Sequence, residues 1–555
     1  MSRKLPIGIQ DFEDIRNGNY LYVDKTALIY ELVMKGKPYF LSRPRRFGKS
    51  LLVSTLHAYF RGKKELFQGL AMERLEKEWN VYPVLHLDFS MTKYTALSDL
   101  LGQLNLNLYD WEKLYGKEEV EGTPAERFRG VIRRAYEQTG KPVVVLIDEY
   151  DAPLTAVMGD KGEFERRRRV LSNFFSTIKA YSGKFRFIFI TGVTRYSNTS
   201  IFSAFNNIED ISFNPAYGAI VGYTQEELEH YFKDYIEYAA KALNRKEKTC
   251  KYTYELILDE LKNNYDGYSF DEDNEWHVYN PWSILNFLKN PQRGFKPYWL
   301  DTGGAKPSLL VNYLNTFIDK KVKKTELIDY LNLEFTKVTS VAELSPSIVS
   351  IEDEDFPFFA ILYQAGYFTI KDTGINYLEV GLPNLEVKKA FAEIILNKLT
   401  SKTGAQISAF YGKKVKAALE AKDYTALKEE FNKILNEFSY ESVVSFKEYA
   451  FRDVYKVMLQ ILGYNTYTEY QTALGRSDLC FEDEDRLYIC EFKVIGKSDS
   501  GKEKLEEAKA QIREKRYGLR LTNKEVITLA IIIINENKDE MHEAMREVAA
   551  IEEIL

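Results

Sequence analysis

The first 220 residues alternate short apolar runs with amphipathic stretches of helical periodicity. The apolar runs are residues 39–41, 84–89, 143–147 and 185–191. Strands that are apolar along their whole length and are separated by helices are typical of a parallel sheet with helices on both faces. The pattern therefore predicts an α/β core in this part of the chain.

The pattern becomes helical at about residue 222. Thr224 is placed as an N-cap, and Glu227 three residues later completes a capping box. Residues 300–380 are mixed and end in a helix, a glycine and two short strands around residues 372–374. That arrangement predicts a small winged unit after the helical segment.

The last part of the chain combines helices with strands. Residues 385–440 are helical, a helix over 445–462 leads into two strands that form a hairpin, and more helix precedes the buried strand 526–534. We expect four regions, with an α/β core, a helical and winged middle, a helical connector and a C-terminal α/β domain over residues 1–220, 221–380, 381–440 and 441–555.

Length and composition narrow the class of protein. A chain of 555 residues is long enough for three to four domains, and 45% hydrophobic with 28% charged residues is a globular composition. Three cysteines and five histidines are too few for a disulfide framework or a Cys/His zinc site. The N-terminus lacks the apolar segment of a signal peptide, and the run 526–534 is too short to span a membrane. We expect a cytoplasmic protein.

Charge is unevenly distributed along the chain. The net charge of −6 argues against a nucleic-acid partner steered by overall charge. Residues 43–64, however, carry seven Lys or Arg and no Asp or Glu, and residues 159–200 carry nine basic against three acidic residues. This concentration of positive charge suits the binding of a nucleoside triphosphate and is compatible with binding of DNA in the same region.

The first of these basic stretches begins with a candidate phosphate site. Residues 40–50 join a strand to a helix, where free N–H groups and the helix dipole attract an anion. Gly48 lets the backbone approach, Lys49 can reach the β- and γ-phosphates, and Ser50 can ligate Mg²⁺. The general P-loop pattern has another glycine five residues earlier, where this chain has Arg43.

An acidic pair follows the apolar run 143–147. Asp148 is expected to hold the Mg²⁺ shell and Glu149 to polarise the attacking water, although such a pair can also simply begin a loop. A later strand ends in residues 190–195, where Thr191, Thr194 or Arg195 could sense the γ-phosphate or form an ordinary strand end. The combination favours a nucleotide site.

Six long motifs occur along the chain: LYVDKTALIYEL, LSRPRRFGKSLL, LIDEYDAPL, ITGVTRYSNTSIFSAFNNIEDIS, NYDGYSF and VYNPWSILNFL. In these motifs the chain resembles a bacterial family of AAA-ATPase-like proteins with a C-terminal PD-(D/E)XK nuclease domain. RPRRFGKS is the usual form of the P-loop in that family, so the resemblance accounts for Arg43. It implies a position near the nucleotide for Asp24, Lys25 and Thr26. The nucleotide-binding residues expected are Arg46, Gly48, Lys49, Ser50, Asp148, Thr194 and Arg195.

A second cluster of charged residues lies in the C-terminal hairpin. If Phe481 pairs with Arg486, Glu491 lies diagonal to Asp478, and the alternation of side chains places both with Lys493 on one face. Two carboxylates at that separation can hold one hard cation. Asp478, Glu491 and a backbone carbonyl near residue 492 are then expected to bind Mg²⁺ or Mn²⁺, with Lys493 steadying the charge on a phosphodiester.

The same residues also allow a structural explanation, because Asp, Glu and Lys can form a salt bridge on an exposed strand face. The order of elements resembles the PD-(D/E)XK fold, and in the matching family pattern Asp478, Glu491 and Lys493 are the catalytic set. The resemblance adds Glu448 on the preceding helix as a further metal ligand and Gln511 as an accessory group.

Two other groups of residues have open interpretations. The run 166–169 is four consecutive arginines, which can begin a solvated helix, contact a phosphate backbone or act on the γ-phosphate of a neighbouring copy. Tyr265, Tyr268 and Trp282 can stack on bases or pack in a core.

Two functional hypotheses follow. In the first, an ATPase module controls a metal-dependent nuclease that acts on DNA, with a role in defence against mobile elements. In the second, the chain is a nucleotide-gated, oligomerising switch or DNA-binding scaffold whose nuclease fold is inactive. The expected partners are ATP, DNA and further copies of the chain, with no membrane.

Overall fold

The structure is a computed structural model that describes most of the chain. It describes residues 3–36, 38–158, 160–195, 208–246, 252–299, 336–344, 358–400, 404–438, 448–462, 464–472, 475–483, 485–496, 501–514, 524–536 and 545–554. These residues form two compact units, of which the first extends to Val387 and the second begins at Lys388. The finer boundaries expected at residues 220, 380 and 440 stay a prediction.

The first unit is built on a parallel sheet of five strands. Its order is β2-β3-β4-β1-β5, and neighbouring strands pair in parallel. The strands are β1 (Pro38–Ser42), β2 (Val84–Asp88), β3 (Val143–Asp148), β4 (Phe185–Gly192) and β5 (Glu209–Asp210). All six residues of β3 are buried, as expected for a central strand covered on both faces. The predicted α/β core and its four apolar strands are confirmed.

Helices alternate with these strands along the chain. They are α1 (Phe12–Asn17), α2 (Thr26–Lys35), α3 (Lys49–Phe60), α4 (Ala71–Leu75), α5 (Leu97–Tyr115), α6 (Pro124–Thr139), α7 (Ala152–Thr155) and α8 (Lys161–Ala180). Apolar residues of α5, α6 and α8 share one core with β3, and Phe128 of α6 stacks on Phe174 of α8 at a centroid distance of 4.4 Å. This core holds β3 and β4 in place beneath the candidate nucleotide site.

A helical segment and a small antiparallel sheet complete the first unit. The predicted capping box is present, since the Thr224 N–H donates to Glu227 at 2.9 Å and the Glu227 N–H donates to the Thr224 hydroxyl at 3.3 Å. The predicted helix followed by two short strands is also confirmed, with a third strand beside them. These elements are α9 (Gln225–Lys246), α10 (Tyr254–Tyr265), α11 (Pro281–Lys289), β6 (Thr336–Thr339), α12 (Phe358–Ala365), β7 (Thr369–Gly374) and β8 (Tyr377–Gly381).

The second unit is a five-stranded mixed sheet with helices. Its strands are β9 (Asn465–Thr472), β10 (Gly475–Glu482), β11 (Arg486–Ile495), β12 (Glu525–Glu536) and β13 (Met545–Glu553), in the order β13-β12-β11-β10-β9. Its helices are α13 (Leu385–Leu399), which begins just before the boundary, α14 (Gly404–Glu420), α15 (Tyr424–Leu435), α16 (Glu448–Ile461) and α17 (Gly501–Glu514). β11 and β12 are parallel, and α17 lies between them in the chain. Within the described ranges, no helix is both long and apolar enough to cross a membrane.

A buried carboxyl group gives the first unit a pH-dependent stability. Glu386 accepts hydrogen bonds from the Ser283 hydroxyl at 2.8 and 2.9 Å and from the Trp299 N–H at 2.7 Å. Burial raises the pKa of Glu386 from 4.5 to about 8, more than these hydrogen bonds lower it. The folded chain therefore keeps a proton that the unfolded chain releases above pH 4.5.

The free energy of unfolding is accordingly expected to fall as the pH rises through this window, by up to about 1.4 kcal/mol per pH unit. Denaturant unfolding of the full chain at pH 5.5 and at pH 7.5 measures this slope. Glu386→Gln keeps the shape of the side chain without the titration and should flatten it. An equal slope in the variant would show that other groups set the pH dependence.

Candidate functional sites

The first candidate site lies where β1 passes into α3. Gly48 has a φ of 102°, a left-handed conformation that favours glycine, and precedes the first residue of α3. Lys49 is buried, and its ammonium donates to the carbonyls of Arg43 at 3.0 Å and Pro44 at 3.2 Å. The segment between β1 and α3 is therefore folded around this lysine, with the N-terminus of a 12-residue helix at its end.

The end of β3 lies beside this segment. The Ser50 side chain lies near enough to the Asp148 carboxyl to lower its pKa, and the ammonium of Lys49 is 3.7 Å from the carboxylate of Glu149. Burial, with the nearby Glu149, raises the pKa of Asp148 to about 7, although Ser50 and Lys49 lower it. Glu149 has a φ of 52°, which is uncommon for a residue other than glycine and which occurs at functional sites. The structure thus brings together Gly48 and the four predicted side chains.

Arg43 and Arg46 attach the segment between β1 and α3 to residues of other parts of the first unit. Arg43 is buried, donates to the carbonyl of Ser212 at 2.7 Å, and places its guanidinium 4.6 Å from the ring centroid of Phe270. Burial lowers the pKa of Arg43 to about 10. Arg46 stacks over the ring of Trp282 at 4.1 Å, a cation–π contact. Arg43 therefore occupies the position of the general P-loop glycine as an anchor.

Restoring that glycine is expected to weaken the protein. Arg43→Gly removes the donor of a buried hydrogen bond and leaves the carbonyl of Ser212 without it, at a cost of about 1–3 kcal/mol in unfolding free energy before the lost packing on Phe270 is added. Thermal unfolding measures the loss. Arg45→Gly is the matched control, because Arg45 is exposed in the same segment. An unchanged melting temperature in Arg43→Gly would contradict the anchoring role.

Two of the three aromatic residues considered for base stacking are core residues. Tyr265 and Tyr268 are both fully buried, and the Tyr268 hydroxyl donates to the carbonyl of Gly366 at 3.3 Å. Packing, rather than base stacking, explains these two. Trp282 instead presents its ring to Arg46 and donates its indole N–H to the carbonyl of Tyr298 at 2.9 Å.

Two of the three candidate γ-phosphate sensors have side-chain partners in this structure. The Thr194 hydroxyl donates to Asp151, and Arg195 forms an ion pair with Asp210. Thr191 is buried at the end of β4. Their contact with a γ-phosphate stays a prediction. Asp151 was missed by the sequence analysis, where its only signal is its place in LIDEYDAPL, three residues after Asp148.

The residues that the resemblance places near the nucleotide form a network of their own. Asp24 accepts hydrogen bonds from the Thr26 N–H at 2.9 Å and from the Ala71 N–H at 2.8 Å. Lys25 forms an ion pair with Glu227 at 2.6 Å. These contacts tie α2 to α4 and α9, and nearness to the nucleotide stays a prediction.

The four consecutive arginines lie in α8 and have different environments. Arg167 is fully buried and donates to the carbonyls of Tyr94 at 3.2 Å and Pro153 at 3.1 Å. Arg168 pairs with a glutamate three residues earlier at 2.6 Å. Arg166 has a side chain 73% exposed, beside a glutamate at 3.5 Å. The interpretation as the solvated start of a helix therefore fits Arg166, whereas Arg167 is part of the core.

The second candidate site lies on the hairpin of β10 and β11, and the predicted register is wrong by two residues. Phe481 pairs with Tyr488 instead of Arg486, and Leu479 pairs with Cys490. One step further along this register places Asp478 opposite Glu491 rather than diagonal to it. Because a shift of two residues keeps every side chain on its own face, the shared face of the three charged residues survives the error.

Hydrogen bonds and ion pairs join the residues of this face. Asp478 accepts the Phe492 N–H at 2.8 Å, and Lys493 lies 3.2 Å from a carboxylate oxygen of Glu491. The ammonium of Lys493 is also 3.8 Å from Glu448, at the start of α16. Glu491 is 1% exposed. Burial raises the pKa of Glu448, Lys493 acts against this, and Asp478 adds to it.

The donors at this site are suited to a hard divalent cation. Two carboxylates, with a third at Glu448 and backbone carbonyls along β11, are the oxygen ligands that Mg²⁺ and Mn²⁺ take. Across the described part of the chain, no three or more His, Cys, Asp or Glu side chains are grouped closely enough to hold a metal ion. A metal here would therefore rest on the two carboxylates and a carbonyl. Gln511 is half-buried on α17, which packs on β11 and β12.

Comparison with known proteins assigns both units to families. A model described as "Predicted AAA-ATPase" matches residues 6–202, and a model described as "PD-(D/E)XK nuclease superfamily" matches residues 446–544. A protein of Azotobacter chroococcum mcd 1, described as "Uncharacterized protein in vnfD 5'region", is 31% identical over 531 residues, which cover 93% of each chain. The two matches lie on the units that carry the two candidate sites. The chain belongs to the family of AAA-ATPase-like proteins with a C-terminal PD-(D/E)XK nuclease domain.

Proposed function

We propose that the first unit binds and hydrolyses ATP and that the second is a metal-dependent nuclease that acts on DNA in defence against mobile elements. The observation that carries the proposal is the contact between α3 and the end of β3. Lys49 and Ser50 of one segment reach Glu149 and Asp148 of the other. Phosphoryl transfer needs phosphate-binding and water-orienting groups close together, and here they follow β1 and β3, the two strands that flank β4 in the sheet.

In this proposal the segment from Gly48 to Ser50 binds the phosphates through its N–H groups and the N-terminus of α3. Lys49 exchanges its contacts with loop carbonyls for the β- and γ-phosphates. Glu149 orients the attacking water, and the anchored Thr194 and Arg195 lie at the end of β4. Ser50 and Asp148 would hold a Mg²⁺ ion, which neutralises charge on the phosphates.

The nuclease function rests on the hairpin face. Asp478 and Glu491 would hold Mg²⁺ or Mn²⁺ with a carbonyl near residue 492, whereas Glu448 lies against Lys493 outside that pair. The bound cation would polarise the phosphodiester and acidify a water. Lys493, which pairs with Glu491, would steady the charge that develops on the phosphate.

Purified full-length protein tests both halves. We expect ATP hydrolysis with Mg²⁺, and cleavage of single-stranded or duplex DNA with Mg²⁺ or Mn²⁺ that stops on addition of EDTA. Absence of hydrolysis would overturn the first half, and absence of cleavage with every substrate and metal would overturn the second.

A second candidate is a nucleotide-gated, oligomerising switch whose nuclease fold only binds DNA. The observation that favours it is that Asp478 already accepts the Phe492 N–H and Glu491 already pairs with Lys493, so neither carboxylate depends on a metal for a partner. Calorimetric titration with Mn²⁺ separates the two, since an inactive site binds none. The mass of the protein by light scattering, with and without ATP, tests gated assembly directly.

A further inference from the structure

The segments that follow β3 and β4 are tied together by one buried carboxylate. Asp151 is 2% exposed and accepts the Val193 N–H at 3.2 Å and the Thr194 N–H at 2.7 Å. It also accepts the Thr194 hydroxyl. Three donors from one short segment therefore meet on a single side chain that comes from the neighbouring strand.

The position of Asp151 in the chain makes this choice of partners informative. Asp151 is the N-cap of α7, and an aspartate there normally accepts a backbone N–H of its own helix. Its side chain makes no such cap hydrogen bond. The carboxylate accepts its hydrogen bonds from the segment after β4 instead of from α7, so helix capping does not explain why an aspartate occupies this position.

Contacts of Tyr150 and Gly192 strengthen the same connection. The Tyr150 N–H donates to the carbonyl of Thr191 and its hydroxyl donates to the carbonyl of Thr194, both at 3.1 Å. A Cβ atom at Gly192 would lie 2.3 Å from Asp151 and 2.8 Å from Tyr150, so the two segments approach as closely as a glycine allows. We name residues 150–151 together with residues 191–194 the strand-end clamp.

Glu149 immediately precedes this clamp and has the left-handed backbone described above. Such a conformation is strained and persists only where the surroundings determine it. At the other segment of the clamp, residues 191–194, the Arg43 N–H donates to the carbonyl of Gly192 at 3.2 Å. The clamp therefore contacts both the residue proposed to orient water and the segment proposed to hold phosphates.

We propose that Asp151 is a positioning residue that holds Thr194 and the segment after β4 in a fixed relation to Glu149. This inference rests on the proposed ATPase function and adds a residue that does not touch the nucleotide. Loss of the clamp should slow hydrolysis more than it weakens nucleotide binding, because the phosphate-binding segment keeps its own anchors. Displacement of a catalytic group by about 1 Å can cost about 100-fold in rate.

The test combines kinetics with amide exchange in the full-length protein. Asp151→Asn keeps the size of the side chain but places an NH₂ group against the Val193 N–H, and is expected to lower kcat by about 10- to 100-fold. The Kd for a non-hydrolysable ATP analogue should change less than about twofold, because the phosphate-binding segment keeps its own anchors. Hydrogen exchange at the amides of Val193 and Thr194 should accelerate by about tenfold or more. Tyr150→Phe, a milder change, should move kcat in the same direction.

Glu121→Gln is the matched control, because Glu121 is a buried carboxylate of the same unit held by Arg134 at 2.6 Å. It should lower the melting temperature without changing kcat. Wild-type kcat in Asp151→Asn, or unchanged exchange at Val193 and Thr194, would overturn the inference. If the wild type bound ATP without hydrolysing it, the proposed function would fail, and loss of analogue-induced protection at Thr194 in Asp151→Asn would still decide the clamp.

Discussion

Glu149→Gln is expected to reduce the kcat of ATP hydrolysis by about 100- to 10,000-fold, the range typical of a positioned general base. Glutamine has the size of glutamate but cannot polarise a water as a carboxylate does. Its backbone conformation and its position 3.7 Å from Lys49 should be kept, because the strand-end clamp and the core beneath β3 determine them. Nucleotide affinity should therefore stay close to that of the wild type, or increase.

Steady-state hydrolysis and analogue binding measure the two quantities. Glu112→Gln is a suitable control, since this carboxylate of α5 forms an ion pair with Arg127 at 2.6 Å and belongs to the same unit. Lys49→Ala completes the test, because loss of a phosphate contact should weaken binding as well as hydrolysis. A Glu149→Gln protein with wild-type kcat would show that another group orients the water.

Asp478→Asn is expected to lower metal-dependent cleavage by about 1,000-fold, which corresponds to the several kcal/mol that a bound cation supplies to phosphate chemistry. Asparagine can still accept the Phe492 N–H, so the hairpin should keep its register. What is lost is one negative charge of the pair that would hold the cation. Lys493→Met should abolish cleavage as well but leave Mn²⁺ binding in place.

Glu482→Gln provides the control for the second site. Glu482 is the last residue of β10, on the same face as Asp478, and pairs with Lys524 at 3.0 Å. Its loss should not affect cleavage. Equal cleavage by wild type and Asp478→Asn would show that the activity belongs to a contaminant or to another site. If Mn²⁺ titration of the wild type gave no heat, the switch would become the better explanation.

The sequence predicted the hairpin face correctly although its register was wrong. Side chains alternate with a period of two, so Asp478, Glu491 and Lys493 share a face in the predicted register and in the observed one. The register itself depends on where the turn closes. Four polar residues separate the two apolar runs, and the structure pairs the first of them, Glu482, with Leu487. In the structure the Asp483 N–H donates to the carbonyl of Arg486 at 3.1 Å and the Asp483 carboxylate accepts the Arg486 N–H at 2.8 Å, which closes the turn between these two residues.

The nucleotide site was predicted from local chemistry, because a glycine, a lysine and a serine at a helix start have a function that does not depend on the remote fold. Two of its features did not follow from that chemistry. Arg43 interrupts the general pattern, and only the approach of residues 212 and 270 shows that it is an anchor. The ion pair of Arg195 with Asp210 likewise joins two strand ends that are distant in sequence.

By itself the sequence determined the α/β core, the helix starts and the set of charged residues at each site. Those features depend on periodicity and on contacts between residues a few positions apart. Only the tertiary structure decided that Asp151 serves the segment after β4 rather than its own helix. The reason is physical. β3 and β4 are neighbours in the sheet, but 36 residues lie between the end of β3 at Asp148 and the start of β4 at Phe185. A side chain at the end of β3 can contact the segment after β4 only when the folded sheet has placed the two strands side by side.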